Sequence, residues 1–400
     1  MAITKQARRV LLVTLAIWAT FGSVAPGLTQ QPSFEELAKR VVGASIGVKP
    51  GDVVVVNGGK HNLALMEDLA IEANKAGGMT TMMISTDKVD RSFNVDVPEA
   101  YLEQEPKYFV EWLKHVNVWI GLPNDEDNKA VIDGVPEKRF AKAAKAGQIV
   151  TDSLMNTPGL RVVGIGYPTK EDAAALHVDF DTYSKMHWKA VNADYSQISA
   201  KGKALQDALR GAKAVHVTSP AGTDITFAIG DRAVYLNDGI LTPEKMQSKS
   251  FLERSINLPD GRIFGSGIET SANGKVVVPK QSCRYDPMPG ISFEFKDGKM
   301  QNFKAAKNGE CFVSTMAPYD GPKDMFAQFS IGLNPEMKVI EDGDADFRPG
   351  FGEGVVYITV GDNQLLGGKN KTQASWWFPI LDSTVTVDGK VILKGGKIIL

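Results

Sequence analysis

The densest group of potential metal donors in the sequence is His177-Val178-Asp179-Phe180-Asp181, followed shortly by His187. Imidazole and carboxylate groups are the side chains that hold Zn²⁺ or Fe²⁺ in proteins, so this run is a candidate metal site. The same residues also fit a loop that leads into a helix capped by Asp181. We favour the structural interpretation and keep the metal site as the alternative.

A second acidic run has the donor spacing of a calcium-binding loop. It contains Asp342, Asp344 and Asp346, and it ends at Glu353, the twelfth position counted from Asp342. The sixth position is Phe347, where such loops need glycine, and no helix is predicted on either side. A solvated acidic loop is therefore the favoured interpretation.

The histidines limit where other chemistry is possible. All five precede residue 221: His61, His115, His177, His187 and His216. No G-x-S-x-G sequence occurs, so a Ser-His-Asp triad in the second half has no support. The glycines of Gly164-Ile165-Gly166 and Asn57-Gly58-Gly59-Lys60 lack the spacing of nucleotide-binding loops.

Length and charge restrict the class of protein. A chain of 400 residues is longer than one ordinary core and predicts two domains. The formal net charge is −2, and no basic cluster is interleaved with aromatic residues, so no nucleic-acid partner is expected.

The N-terminus has the pattern of a secretory signal peptide. Lys5, Arg8 and Arg9 precede an apolar run over residues 10–24, and a polar segment follows. We assign residues 1–30 to the signal peptide and expect a periplasmic or secreted protein. The run is short for a membrane-spanning helix, so no integral membrane span is expected, and an uncleaved N-terminal anchor is the alternative.

The sequence contains two cysteines, Cys283 and Cys311. In an oxidising compartment such a pair can form a disulfide. Two buried thiols that lie too far apart to react are the alternative. Because neither residue belongs to a C-x-x-C motif, redox or zinc chemistry is not expected here.

Helices and strands alternate in the first half of the chain. An amphipathic helix capped by Ser33 precedes a strand over 53–56, a helix over 62–76 and a strand over 80–85. This βαβ pattern predicts a parallel sheet. It continues with helices over 101–114, 138–146 and 182–209, and with strands over 116–121, 161–165 and 214–218. We place the N-terminal α/β domain at 34–220.

From residue 221 the hydrophobic period changes to two, which indicates strands. They are predicted over 224–229, 275–278, 291–295, 310–315, 355–360, 383–387 and 391–393. Asp297-Gly298 and Asp388-Gly389 are predicted hairpin turns. The predicted fold is α/β with two domains, in which 221–400 form an α+β domain rich in antiparallel strands.

Five segments occur in an order that is known from one peptidase family. They are Gly47-Val48-Lys49-Pro50-Gly51-Asp52, Pro220 to Phe227, Asn257-Leu258-Pro259-Asp260-Gly261 followed by Glu269, Gly332-Leu333-Asn334-Pro335 and Gly367-Gly368-Lys369-Asn370. From about residue 35 onward the sequence resembles the thermophilic aminopeptidases, peptidase family M29. The resemblance implies an exopeptidase with two divalent metal ions (Zn, Co or Mn), a C-terminal active site, a peptide substrate and a homodimer.

Most of the metal ligands that this resemblance implies are replaced. Glu269 matches the first metal-binding glutamate of the family. The positions that match a glutamate, two histidines and an aspartate carry Gln328, Tyr357, Ser375 and Trp377. These side chains are weak metal ligands or none. We therefore expect the dinuclear site to be reduced, relocated or lost.

Two functions are compatible with this pattern. The first is a metallohydrolase with Glu269 as catalytic residue and a metal site that draws on Glu269, His177, Asp179 and His187. The second is a non-catalytic periplasmic protein that binds a small peptide or small molecule through stacking and hydrogen bonds. Its pocket would be lined by Gln328, Tyr357, Ser375, Trp376 and Trp377. Tryptophans that only fill the space of the lost metals are the alternative for the last two.

Overall fold

The computed structural model of the chain describes residues 33–283, 286–337 and 352–400. The predicted signal peptide and the aspartates of the calcium-like run lie outside these residues. None of the helices in the described residues is long and apolar enough to cross a membrane.

In the described residues, helices alternate with strands in the first half of the chain, as predicted, and two further α-helices follow in the second half. The α-helices are α1 (Phe34–Arg40), α2 (Leu63–Lys75), α3 (Asp87–Val95), α4 (Lys107–Leu113), α5 (Asn128–Ile132), α6 (Glu137–Asn156), α7 (Lys170–Ala175), α8 (Phe180–Val191), α9 (Tyr195–Leu209), α10 (Pro243–Met246) and α11 (Gly309–Met316). Ser33 caps α1 by accepting a hydrogen bond from the Glu36 N–H, as expected.

The strands of the described residues form a five-stranded parallel sheet, an eight-stranded and a five-stranded antiparallel sheet, and a two-stranded hairpin. They are β1 (Val53–Gly59), β2 (Met79–Ser85), β3 (Val118–Gly121), β4 (Arg161–Ile165), β5 (Val215–Thr218), β6 (Asp224–Phe227), β7 (Val234–Asn237), β8 (Ser255–Leu258), β9 (Arg262–Ser266), β10 (Asn273–Val278), β11 (Ser282–Cys283), β12 (Asp286–Pro287), β13 (Ile291–Lys296), β14 (Lys299–Lys304), β15 (Phe326–Gly332), β16 (Val356–Gly361), β17 (Ser375–Ile380), β18 (Thr384–Val387), β19 (Lys390–Lys394) and β20 (Lys397–Ile398).

The parallel sheet has the strand order β2-β1-β3-β4-β8. All of its neighbouring strands pair in parallel, which confirms the sheet that the βαβ pattern predicts. Its last strand, β8, lies beyond residue 220, so the chain returns to this sheet after it has entered the second half. The domain boundary at residue 220 stays a prediction.

The two antiparallel sheets confirm the period-two pattern of the second half. An eight-stranded sheet has the order β14-β13-β10-β6-β5-β18-β19-β20, and a five-stranded sheet has the order β17-β16-β15-β9-β7. We call the five-stranded antiparallel sheet, which contains β17, β16, β15, β9 and β7, the site sheet. The predicted turns Asp297-Gly298 and Asp388-Gly389 connect β13 to β14 and β18 to β19. The predicted α/β fold class is confirmed.

Three predicted elements differ from the structure. The helix expected over 101–114 is shorter, because only Lys107–Leu113 of this span forms α4. The strand expected over 310–315 is wrong, because these residues belong to α11. Phe312 and Met316 are four positions apart, and both are buried on one face of the helix. The long helix expected over 182–209 is divided into α8 and α9, because Asp194 caps α9 by accepting hydrogen bonds from the Ser196 and Gln197 N–H groups.

The disulfide between Cys283 and Cys311 is present, so the structure supports the bonded alternative. It joins β11 to α11 across a Cα–Cα distance of 6.1 Å. Both partners contact the main apolar core, which runs from α1 and α2 through the strands of the site sheet.

Candidate functional site

The strand register of the site sheet places several predicted residues in one row. Gln328 on β15 lies opposite Ser266 on β9 and Thr359 on β16, and Thr359 lies opposite Trp377 on β17. Directly opposed residues of antiparallel strands point to the same face of a sheet. Ser266, Gln328, Thr359 and Trp377 therefore form a polar row across four strands.

Two further cross-strand pairs extend this face. Tyr357 lies opposite Ser330, and Ser375 lies opposite Gly361. The ring of Tyr357 meets the indole of Trp377 nearly edge-on, at a centroid distance of 5.9 Å. The register thus brings Gln328, Tyr357, Ser375 and Trp377, identified from the sequence alone, to one face of the sheet.

Trp376 lies on the opposite face of the same strand. Its indole packs edge-on against Phe312 of α11 at 5.1 Å and contacts the apolar core. The structure therefore favours the alternative in which Trp376 fills space in the core, and it does not place Trp376 on the polar face that carries Trp377.

Two hydroxyl groups on the polar face are buried without a partner. Thr359 is fully buried and Ser330 nearly so, and neither hydroxyl oxygen has a hydrogen-bond partner among the described residues. Buried polar groups in native proteins are nearly always satisfied, so such atoms indicate a place that takes water or a ligand.

Glu269 lies in a short 3₁₀ turn, Glu269–Ser271, that follows β9. Its carboxylate is buried and has three different partners. Oε1 accepts hydrogen bonds from the Lys369 N–H at 2.6 Å and from Asn363 Nδ2 at 2.9 Å. Arg232 Nη2 lies 3.2 Å from Oε1 and 3.1 Å from Oε2, which makes an ion pair.

Asn363 connects Glu269 to the polar face of the site sheet. In addition to Glu269, its Nδ2 donates to Ser266 Oγ at 2.8 Å. A Cβ atom on Gly368 would collide with the Asn363 side chain. The packing therefore explains why the segment Gly367-Gly368-Lys369-Asn370 needs glycine at its second position.

The surroundings keep Glu269 ionised. Burial alone would raise its pKa, but the hydrogen bonds from the Lys369 N–H and Asn363 and the charge of Arg232 outweigh burial. The net pKa lies below the ordinary glutamate value. The carboxylate is thus a negative group whose charge is already balanced within the protein.

A cavity of about 660 Å³ opens beside this carboxylate. Its lining comprises Ile229, Asp231, Arg232, Ile268, Glu269, Thr270, Pro322, Met325, Gly367, Lys369 and Asn370. Glu269 is part of this lining, whereas the predicted residues of the polar sheet face are not. The sequence carries no local signal for Arg232. Lys369 and Asn370 belong to a segment that indicates only the family resemblance.

The sequence matches the family model of the thermophilic metalloproteases, M29, over residues 30–332. The match covers about three quarters of the chain and includes Glu269. The chain belongs to this family. A comparison with curated proteins finds no significant match.

Two solved structures share the M29 fold of this chain. AmpT from Thermus thermophilus has 15% sequence identity and a TM-score of 0.70, and the alignment covers 92% of this chain and 99% of AmpT. A 2,5-dihydroxypyridine dioxygenase from Pseudomonas putida KT2440 has 14% identity and a TM-score of 0.61, with 92% and 98% coverage. At these identities the similarity concerns the fold alone.

The donor set does not fit the metal centre that the M29 family implies. The described residues contain no group of three or more His, Cys, Asp or Glu side chains that could hold a metal ion. Gln328 Nε2 donates to the Asp362 carbonyl at 3.0 Å, and Glu269 is paired with Arg232. A divalent cation needs several anionic or imidazole ligands, which this arrangement does not supply.

The other predicted metal donors have separate positions. Asp179 caps α8 by accepting from the Thr182 N–H at 2.9 Å, so the capping residue is Asp179 and not Asp181. His177 follows α7 along the chain and is exposed. Its backbone is in the left-handed conformation, with a φ of 52°. His187 is buried, with 7% of its surface exposed. Within the described residues these three donors form no metal-binding group.

An acidic pair that sequence reasoning missed lies near the carboxyl end of the parallel sheet. Asp125 follows β3, and its carboxyl group is hydrogen-bonded to that of Asp90 on α3. Burial, the charge and hydrogen bond of Asp90, and the charges of Asp87 and Glu171 raise the pKa of Asp125 to about 6. The raised pKa means that Asp125 is repelled by the neighbouring negative charges when it is ionised.

We expect Asp125→Asn to make stability less dependent on pH. The ordinary aspartate pKa is 3.8, so protonated Asp125 stabilises the fold fully below pH 3.8, and this effect is lost as pH rises through about 6. Solvent screens this half-buried pair, so the variant should be about 1 kcal/mol more stable than wild type at pH 7.5. Urea unfolding at pH 4 and pH 7.5 measures the difference, which should vanish at pH 4. An equal difference at both pH values would contradict the raised pKa of Asp125.

Proposed function

We propose that this protein is an exported, non-catalytic binding protein on the M29 scaffold, and that its Glu269 cavity holds a small peptide or small molecule. The observation that carries the proposal is the ion pair in which the Arg232 guanidinium contacts both oxygens of Glu269. In this arrangement the protein itself supplies the positive charge that a metal ion would bring to the carboxylate.

Arg232 makes a second positive charge in the same place unfavourable. A divalent cation about 5 Å from a guanidinium is repelled by on the order of 7 kcal/mol at the effective dielectric constant of a protein. The hydrogen bonds from Asn363 and the Lys369 N–H also occupy Oε1, which would otherwise coordinate a metal. Metal binding at Glu269 would therefore require Arg232 to leave.

The cavity suits an organic ligand. Its volume of about 660 Å³ is typical of pockets that hold small molecules. Ile229, Ile268 and Met325 supply apolar contact area, while Asp231 and Lys369 place opposite charges in the same lining. Neither of these two side chains forms an ion pair within the described residues. Such a lining can bind an apolar group and orient a charged or amphoteric one.

Export is supported by two observations. The basic and apolar pattern of residues 1–30 is that of a signal peptide. The disulfide between Cys283 and Cys311 is typical of proteins in an oxidising compartment, such as the periplasm or the extracellular space. We propose the same compartments for the mature protein, and we keep the homodimer that the family implies as a prediction.

A second candidate function is a metallohydrolase with a reduced or relocated site, and membership of the M29 family favours it. Glu269 would be its catalytic residue, and His177, Asp179 or His187 would contribute to the metal site. A bound Zn, Co or Mn ion would supply a Lewis acid and an activated water.

Metal content separates the two candidates. The binding-protein proposal predicts that protein purified without chelator contains below about 0.1 equivalents of Zn, Co and Mn. The measurement is informative because a tightly held structural or catalytic ion would stay bound during purification. Plasma mass spectrometry of wild type and Glu269→Gln measures it. About two equivalents that are lost in the variant would contradict the proposal and support the peptidase. One equivalent that survives in the variant would indicate a relocated site.

The binding function has its own measurement in the same preparation. Mass spectrometry of the small molecules released on denaturation should detect a retained ligand from wild type. Lys369→Met removes a charge from the cavity but keeps the backbone N–H that holds Glu269, so the variant should fold and retain less ligand. Equal retention by both proteins would place the ligand outside this cavity.

A further inference from the structure

The parallel sheet ends on one side in a strand that lacks the usual protection of a sheet edge. β2 has seven residues, Met79–Ser85, and is the edge strand beside β1. It contains no charged residue and no proline, and none of its seven residues is buried. An exposed, uncharged edge strand of this length offers its backbone groups to a further strand. β2 is therefore a candidate surface for association with another chain.

The other edges of the three larger sheets are protected in the described residues. β7 and β8 have four residues each, and β20 has two. β17 contains Pro379. β14 begins and ends with a lysine, and its Met300 N–H donates to the Asp324 carbonyl at 2.8 Å, which covers part of this edge. Short length, proline, lysine and a covering segment all keep sheet edges from associating. β2 has none of these features, as expected of an edge that pairs.

Exposed apolar side chains extend this edge beyond β2. Met79 and Ile84 are 58% and 52% exposed. The helix α3 begins two positions after β2 ends, and none of its residues is buried. Its Val89 and Phe93 are four positions apart, so they lie on one helix face, and they are 63% and 46% exposed. Exposed apolar groups beside an open strand edge are typical of a protein–protein interface.

The backbone of β2 is suited to pairing with an identical strand. The Met79 N–H donates to the Asp52 carbonyl at 2.7 Å, so the backbone groups of Met79 point towards β1. Because successive residues of a strand direct these groups to opposite sides, those of Thr80, Met82 and Ile84 point away from β1. Antiparallel two-fold pairing centred on Met82 places Thr80 opposite Ile84 and Met82 opposite itself. Each outward-pointing residue then meets an outward-pointing residue of the other copy.

Charges at the two ends of β2 favour the same arrangement. Lys49 is exposed in the turn before β1, and the amino ends of the parallel strands β1 and β2 lie at the same edge of the sheet. At the carboxyl end, burial and the negative charges of Asp90 and Asp87 raise the pKa of Asp125, so this end is negative. Antiparallel pairing brings the amino end of one copy beside the carboxyl end of the other, where opposite charges attract.

We propose that β2 is the surface through which two copies of this chain associate, by antiparallel two-fold pairing centred on Met82. The two parallel sheets then form one continuous sheet, and the exposed apolar side chains of β2 lose contact with water. The partner is a second copy, because the uncharged strand, its outward backbone groups and the charges at its ends are each complementary to themselves under a two-fold axis. This surface does not depend on the Glu269 cavity or on any ligand in it.

Sedimentation equilibrium of the exported protein tests the association. We expect wild type to have the mass of two chains at about 10 μM, and Ile84→Lys to raise the dissociation constant about tenfold or more by placing a charge in the strand pair. Val313→Lys is the matched control, because Val313 is 57% exposed on α11 and lies outside this edge. Both substituted side chains are largely exposed, so both variants should fold, and their urea midpoints verify this.

Met82→Cys tests the register of the pair. The two Met82 positions would lie about 5.5 Å apart, so a short thiol-specific cross-linker should join the copies. Ile84→Cys is the control, because its two positions would be separated by about 13 Å along the strands. The native cysteines are bonded to each other and do not react.

Several results would overturn the proposal. Wild type that stays monomeric up to about 100 μM would do so, as would Ile84→Lys that associates like wild type or Val313→Lys that loses affinity equally. A dimer in which Met82→Cys is cross-linked no better than Ile84→Cys would show that the copies associate through another surface.

Discussion

Replacing Arg232 with methionine is expected to lower the free energy of unfolding by about 3 kcal/mol. The side chains of Arg232 and Glu269 are 16% and 8% exposed, so both charges are largely removed from water. Without Arg232, the carboxylate of Glu269 keeps its hydrogen bonds from Asn363 and the Lys369 N–H but loses its counter-charge. An uncompensated buried charge is among the largest destabilising effects that a single substitution produces.

The double variant Arg232→Met/Glu269→Gln separates loss of the ion pair from loss of packing. It removes both charges and keeps an acceptor at Oε1 for the Lys369 N–H, so its stability should recover most of what Arg232→Met loses. Urea unfolding of wild type, both single variants and the double variant gives the coupling energy. A double variant that is destabilised by the sum of the two single changes would show that the pair carries no interaction.

The same variants test whether the ion pair excludes metal ions from Glu269. If Arg232 keeps metal ions away from Glu269, then Arg232→Met should bind Zn²⁺ more strongly than wild type does. The gain should disappear in the double variant, because the amide that replaces the Glu269 carboxylate is a neutral ligand. The ion pair would then be one cause that keeps metal ions from the Glu269 carboxylate.

The sequence predicted those parts of the fold that depend on local patterns. The βαβ alternation up to Ser85 indicated the parallel sheet, and Asp297-Gly298 indicated the hairpin between β13 and β14, since hydrophobic period and turn residues act over a few positions. Glu310 to Thr315 shows the limit of this reasoning. Its apolar residues fit both periods, and burial of Phe312 and Met316 in the assembled core decides for a helix.

The candidate site was predictable only in part, for a related reason. Alignment to a family pattern identified Glu269 and the residues that β15, β16 and β17 bring to one face. It did not identify Arg232, which lies 37 positions before Glu269 and meets it only in the folded protein. It also missed the acidic pair of Asp90 and Asp125, because nothing in either segment indicates that they converge.

Loss of the disulfide is expected to have an effect of similar size. Cys283 and Cys311 are 28 positions apart, and closing a loop of this length restricts the unfolded chain by about 3.5 kcal/mol in the chain-entropy model. Cys283→Ala/Cys311→Ala should therefore lower the free energy of unfolding by about this amount. Urea unfolding of the double variant, compared with oxidised wild type, measures the change.

Reduced wild type is the control for this comparison, because it keeps both side chains and lacks only the covalent bond. Both cysteines contact the main apolar core, so any further loss in the double alanine variant reports packing rather than cross-linking. If reduction leaves the urea midpoint unchanged, the bond does not stabilise the fold. Residues 1–30 would then be the feature of this chain that supports export. If reduction lowers the midpoint, the protein depends on an oxidising compartment for its stability.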